Sequence, residues 1–399
     1  MSFLARLFRR RPTEAEAAQA LIERMRALRP DLRFDYRPKE GVIRTDNGLV
    51  SLANFYVDYA RADRAEREQL LHVFAQGIAP PRMPDTLAEA RAHLLPAMRH
   101  LVTLDLARIA AGQLEGEGIG FELQPFSDEL AVEVVFDTEH TMASVGRDQL
   151  AAWGLDGAAA LALAIDNLRD KSPSRFEALA PGLWRSDYGD FYDAARALLP
   201  DHIHQIGVAG RPVAMIVNRA CLLVAGEGDD HALAGMLHVA RHMLQQEARP
   251  LSSEMLRLDE GRWLPWRPPQ AEIAQALRRL QQEQLASDYE VQQRALDQHA
   301  QDKQIDIFVA GHQLMQGAQG QLRSYCVVTR GVHTWLPRAD LVMLVDPAAG
   351  EARPHPVRWE VFEREAGHLL HRLPCRLPRF EIRDYPDAAA IARMAPAAL

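Results

Sequence analysis

Cysteine is scarce: the 399 residues hold 3. They are Cys221, Cys326 and Cys375, an odd number at long spacings with no CxxC pair. That excludes a disulfide framework and gives no sign of a structural zinc site. Cys221 and Cys326 stand in apolar runs, where a thiol serves as a small hydrophobe; the pattern fits a reducing cytoplasm. Catalytic signatures are missing as well. There is no GxSxG nucleophile elbow and no GxxxxGK[ST] phosphate loop. Gly116-Glu117-Gly118-Ile119-Gly120 contains a GxG. It lacks the third glycine at the right offset and runs into a predicted strand, whereas a pyrophosphate site needs a helix N-terminus there. No cofactor is therefore expected. No apolar run approaches the roughly 18 residues of a bilayer-spanning helix. Lys and Arg number 46 against 54 Asp and Glu, a formal net charge of -8. Broad nucleic-acid binding needs a cationic field to release counterions, so nucleic acid is not an expected partner.

What remains is an ordinary globular composition, 48% hydrophobic and 25% charged, in a chain long enough for two or three domains. Residues 1–12 read as a basic tail. Within it Phe3, Leu4, Leu7 and Phe8 can line up opposite Arg6, Arg9 and Arg10, which would allow weak contact of residues 1–11 with an anionic membrane surface. Residues 13–80 read as a small αββα module. It opens with Thr13 and Glu16 at capping-box spacing, and Leu21, Ile22, Met25 and Leu28 then recur with helical period. Pro80, Pro81 and Pro84 mark a boundary. Residues 85–268 read as a core of helices mixed with hairpins: a helix over 147–169, strands VAMIV and CLLVA around Asn218-Arg219, and a helix from Asp230. Residues 270–303 contain no Gly or Pro and are rich in Gln, Glu and Arg. Their leucines are too sparse for a heptad seam, so the segment reads as a polar helical spacer. Residues 305–399 form a further module of strands and one helix. The fold class expected is α+β, with mixed, mostly antiparallel sheets and packed helices in two or three modules.

Three stretches carry a pattern beyond periodicity: LAVEVVFDTEHTMASVGRDQLAAWGLDGAAALALAIDNL from Leu130, LWRSDYGDFYDAARALLPD from Leu183, and PVAMIVNRACLLVAGEGDD from Pro212. In this order they resemble the YtpQ-like bacterial family over about residues 5–266. The most specific points are Asn167-Leu168, Tyr192-Asp193-Ala194 and the VAMIVNRACLLVAG strand pair. The family has no assigned activity, so the resemblance implies no functional residue. The region after about Gln270 looks like an addition to the family layout.

Two clusters are candidate chemistry. Asp187, Asp190 and Asp193 surround Tyr188 and Tyr192. In a cleft such carboxylates could divide acid and base roles or hold a hard cation; alternatively this is a polar loop in which Asp190 caps the helix FYDAARALL. His238 and His242 lie one helical turn apart, with His231 seven residues earlier, and could face a metal together. The Glu that follows the first His of a zinc-protease helix is absent. His202 and His204 would share a face if their segment were a strand, and His368 and His371 are a turn apart near a helix end. With no convergent reactive groups, the expected function is a cytoplasmic, non-catalytic protein-interaction or regulatory protein with another protein as partner. The alternatives are a metal-assisted hydrolase and a peripheral membrane-associated protein.

Overall fold

The computed structural model describes residues 12–30, 32–38, 41–45, 48–78, 83–110, 112, 114, 120–138, 142–173, 176–246, 250–317, 320–348 and 354–397. Tail residues 1–11 and the Gly116-Glu117-Gly118 segment lie outside them. The fold is α+β with mostly antiparallel sheets, and no helix among the described residues is long and apolar enough to cross a membrane. The chain divides into two compact units, Met1–Leu95 with Val134–Asn167, and Pro96–Glu133 with Leu168–Leu399. The units are thus interleaved rather than serial. Their borders fall inside the strands Leu94–His100 and Leu130–Asp137 and the helix Gly157–Asp170, not at the proline clusters.

The first unit begins with the helix Glu14–Leu28, whose capping box forms as the spacing requires. The Glu16 N–H donates to Thr13 Oγ1 at 3.2 Å, and the Thr13 N–H donates to the Glu16 carboxylate at 2.8 Å. Two otherwise orphaned backbone donors are satisfied, worth about 1 kcal/mol. Leu21, Ile22 and Met25 bury against Phe34, Ile43, Leu52 and Phe55. A three-stranded antiparallel sheet of Phe34–Arg37, Val42–Thr45 and Gly48–Ser51 follows, so this module holds one strand more than the αββα reading. The LANFYVDYA segment is a helix over Ala53–Arg61, ahead of a second over Arg64–Ile78. A second core gathers Val134, Phe136, Leu150, Trp153, Ala160 and Ala164. The expected helix over 147–169 is two, Arg147–Ala152 and Gly157–Asp170. Gly154 between them takes φ +71°, and the Asp156 carboxylate accepts from the Ala159 N–H at 2.8 Å; a left-handed residue and a new cap end one helix and start the next. Asn167 donates to the carbonyls of Arg91 and Leu94 at 2.7 and 2.9 Å.

In the second unit a six-stranded antiparallel sheet runs in the order Arg262–Pro265, Leu256–Asp259, Pro212–Asn218, Cys221–Gly226, Leu183–Ser186, Phe176–Ala180. Its two central strands are buried throughout and pack on the helix Asp230–Gln246 through Leu233, Met236 and Ala240. Farther along, two four-stranded sheets hold the core of Cys326, Leu336, Val342, Trp359 and Phe362.

The segment expected to be a spacer is the main correction. It is one helix, Ala271–Asp302, about 48 Å long at 1.5 Å per residue, and it is packed along its whole length. Ile273, Leu277, Leu280, Gln284, Tyr289, Gln292, Leu296, His299 and Ala300 are buried, steps that repeat one helix face. Ile273, Leu277 and Leu280 pack beside Met236, Ala240 and Leu244. Tyr289 packs on Val102 and Leu377, and Leu296 and Ala300 on Ile109, Trp335 and Cys375. The polar members of the stripe have partners supplied by other elements. Gln292 donates to Leu377 O at 3.1 Å and accepts from Arg379 Nε at 2.8 Å, while Tyr289 Oη donates to Pro378 O at 2.9 Å. Arg379 is fully buried, and its Nη1 donates to Ala310 O and Trp335 O at 2.8 and 2.9 Å.

Replacing Gln292→Leu keeps the volume but removes the acceptor of a buried cation. It should cost about 2–3 kcal/mol, the range for a hydrogen bond to a charged group left unsatisfied. Urea denaturation checks this; an unchanged midpoint would show that the Arg379 guanidinium does not depend on Gln292.

Candidate functional site

The strand Leu183–Ser186 leads into the loop that carries the three predicted aspartates. Asp190 accepts a forked pair of bonds from Arg196, Nη1 at 2.8 Å and Nη2 at 2.7 Å, and a third from the Tyr192 N–H at 3.0 Å. Arg196 is 1% exposed. Its Nε donates to Ser172 Oγ at 2.9 Å, and its guanidinium carbon lies 3.4 Å from the Tyr188 ring centroid. Burial pushes the Asp190 carboxyl up, but the forked bonds outweigh it and hold the group below the usual carboxylate range. Asp193 is buried and accepts from the Tyr188 N–H at 3.2 Å; there burial wins over the Ser186 hydrogen bond and raises it. Asp187 is exposed. Asp190 does not cap a helix: its partner is the Tyr192 N–H two residues on, and a short 3-10 turn, Ala194–Leu198, follows instead of the expected helix. Two of the three aspartates are thus committed to holding the loop.

What the loop displays is Phe191. Its ring is 54% exposed, its backbone has φ +63°, and Gly189 has φ +69°. A phenylalanine in the left-handed region is strained by about 1–2 kcal/mol. The Arg219 guanidinium carbon sits 4.5 Å from the Phe191 centroid, and Arg219 O accepts from the Ala194 N–H at 3.2 Å.

His231, His238 and His242 lie on the helix Asp230–Gln246 as expected, all on its exposed side. Among the described residues no group of three or more His, Cys, Asp or Glu side chains is placed to hold a metal ion. His202 and His204 are in a short helix, Pro200–His204, not a strand, so they do not share a face. His368 lies in a 3-10 turn and His371 in a short strand.

A cluster that the sequence did not reveal lies beside the long helix. A cleft of about 640 Å³ is lined by His100, Asp105, Asp128, Glu129, Gln284, Asp288, Arg372 and Arg376, among others. Burial pushes Asp288 up to about 7, against one hydrogen bond from Gln284 at 2.9 Å. Burial, with the neighbouring Glu254 carboxylate second, pushes Glu129 up to about 7 although Ser252 Oγ donates to it at 2.6 Å. Glu254 is raised by burial too, in spite of its Ser127 partner. His100 goes the other way: burial, then Arg376, lowers it to about 4. Its Nε2 stands 3.8 Å from Asp288 Oδ2, beyond hydrogen-bond reach. No spacing in the sequence groups these residues.

No protein-family model matches the sequence, and neither a curated protein nor a solved structure matches the chain.

Asp190→Asn leaves the Arg196 cation buried without its counter-charge. It should cost about 2 kcal/mol, below the range for a fully buried pair because Asp190 is partly open; chemical denaturation reads it. For Asp288, a folded pKa raised above the unfolded value means stability fully present at low pH and lost as pH rises to about 7. Between pH 5 and 7 the stability of Asp288→Asn should therefore fall less steeply with pH than that of the native chain, by up to about 1.4 kcal/mol per pH unit. Parallel melting profiles across that window would refute the assignment.

Proposed function

We propose that this chain is a non-catalytic protein-interaction protein of the cytoplasm, and that the loop of residues 187–193 is its contact element. One observation supports this reading above the rest: an exposed phenylalanine is kept in a left-handed backbone that glycine would occupy without strain. Strain of that kind persists where surrounding structure over-determines it and concentrates at binding and switch sites. Here the bracing is the Asp190–Arg196 fork with Tyr188 against it. Aromatic and arginine side chains are enriched among the residues that dominate binding energy at interfaces. The aspartates favour the same reading over acid–base chemistry, since Asp190 and Asp193 direct their oxygens to Arg196 and to backbone N–H groups.

The test is a tagged pull-down from the native host with the full chain and two variants. Phe191→Ala and Phe191→Gly should both lose a partner that the native chain retains stoichiometrically. Relief of strain offsets the lost stacking on Arg219, so Phe191→Gly should keep or raise stability, staying within about 1 kcal/mol. Equal retention of the partner by the variants, or no partner on the native chain, overturns the reading.

A further inference from the structure

The cleft beside the long helix has a second lobe. This lobe, about 770 Å³, is lined by Val102, Leu106, Leu244, Leu280 and Val291 among others, and shares His100, Val102, Gln284 and Asp288 with the polar lobe. The second lobe is mainly apolar, with Glu283 and Arg294 also in its lining, and the shared residues join it to the lobe richer in carboxylates.

Three observations bear on what such a space would take. First, Asp288 and Glu129 have no Lys or Arg within ion-pair distance among the described residues; their partners are the Gln284 amide and the Ser252 hydroxyl with the Ser253 backbone. Second, His100 is 4% exposed and, among the described residues, neither ring nitrogen has a hydrogen bond. His100 lines both lobes, so a ligand donor in the cleft can pair with its ring. Third, the arginines at the mouth are already engaged: Arg376 donates to Asp128 O at 3.1 Å, and Arg372 donates to Cys375 O at 3.1 Å and lies over Phe380 at 5.6 Å. The buried groups without an ion pair are thus the two carboxyls of Asp288 and Glu129, while Arg376 keeps its charge at the mouth on the His100 side. A metal ion does not suit the two carboxyls, because no group of three or more ligating side chains is so placed among the described residues.

We propose that the two-lobed cleft binds an amphipathic organic cation, a primary alkylammonium whose head sits at Asp288, Glu129 and His100 and whose hydrocarbon lies along Val102, Leu106 and Val291. The head donates three N–H bonds, enough for the two carboxylates and the imidazole lone pair. Its charge draws both carboxyls into their ionised form, so binding near neutral pH expels protons into the buffer. The same ammonium head on four methylenes is a lysine side chain, and the two sources are separable by probe.

The experiment is calorimetric titration of the full chain at pH 7 in two buffers of different ionisation enthalpy, with hexylamine, hexanol, hexanoate and N-acetyl-lysine amide. Hexylamine should bind one-to-one with net proton release, and hexanol and hexanoate at least tenfold more weakly. Asp288→Asn should weaken hexylamine at least tenfold and remove about half of the proton release, the rest coming from Glu129. Thr103→Trp, an exposed position on the rim of the apolar lobe, should weaken it without touching the acids, which keeps the test open should the first variant misfold. N-acetyl-lysine amide binding as tightly as hexylamine assigns the site to a lysine of a partner, and tenfold weaker binding assigns it to a free amine. Absence of hexylamine binding at millimolar concentration, equal binding of hexanol, or binding without proton release overturns the proposal.

Discussion

A guanidinium cut off from water must be held by dipoles that cannot move away, and in the second unit that constraint falls on Arg379. Burial lowers its pKa to about 10, which still leaves it charged at neutral pH. Its charge is met by the Gln292 side-chain oxygen and by the carbonyls of Ala310 and Trp335. Those three acceptors come from the long helix, the segment after the strand Phe308–Val309 and the strand Thr334–Pro337. A single side chain thereby fixes the spacing of three elements that hydrophobic contact alone would allow to slide. Hydrogen bonds to charge are roughly twice as strong as neutral ones and directional, so register is set at Arg379 and the apolar contacts of Leu296, Trp335 and Cys375 follow from it.

The same constraint explains which parts of the fold are legible in the sequence. The capping box of Thr13 and Glu16 is readable because both partners lie within one turn. The VAMIV and CLLVA strands are readable because burial on both faces leaves unbroken apolar runs. The long helix is recognisable as a helix but not as a packed one. Its buried stripe contains Gln284, Tyr289, Gln292 and His299 where a periodicity argument looks for leucine. For Tyr289 and Gln292 the burial becomes interpretable only when their partners, 85 to 89 positions away at Leu377, Pro378 and Arg379, are in view.

The candidate sites divide along the same line. Asp187, Asp190 and Asp193 are visible as a cluster because they are close in sequence, yet their role depends on Arg196 and on a backbone turn that spacing does not encode. His100, Glu129, Glu254 and Asp288 are invisible as a group, being spread over almost half of the chain. Each is ordinary in its own segment, and only desolvation, a property of the assembled unit, makes them exceptional. Proximity in sequence leads to residues that stabilise a loop, while the buried carboxyls with raised pKa are gathered by topology.

Interleaving carries a consequence for synthesis. The 96–133 segment is made early, but Val102 and Ile109 find their apolar neighbours at Tyr289, Leu296, Trp335, Cys375 and Leu377. The ribosome must add roughly 180 to 270 further residues, at ~5–20 per second, before those surfaces exist. During that interval the nascent segment exposes apolar side chains for some tens of seconds, with closure of a very long loop still to come. The first unit meets no such delay after residue 167, so the chain emerges with one unit able to close and a strip of the other waiting, a situation in which a holding chaperone has a defined segment to bind.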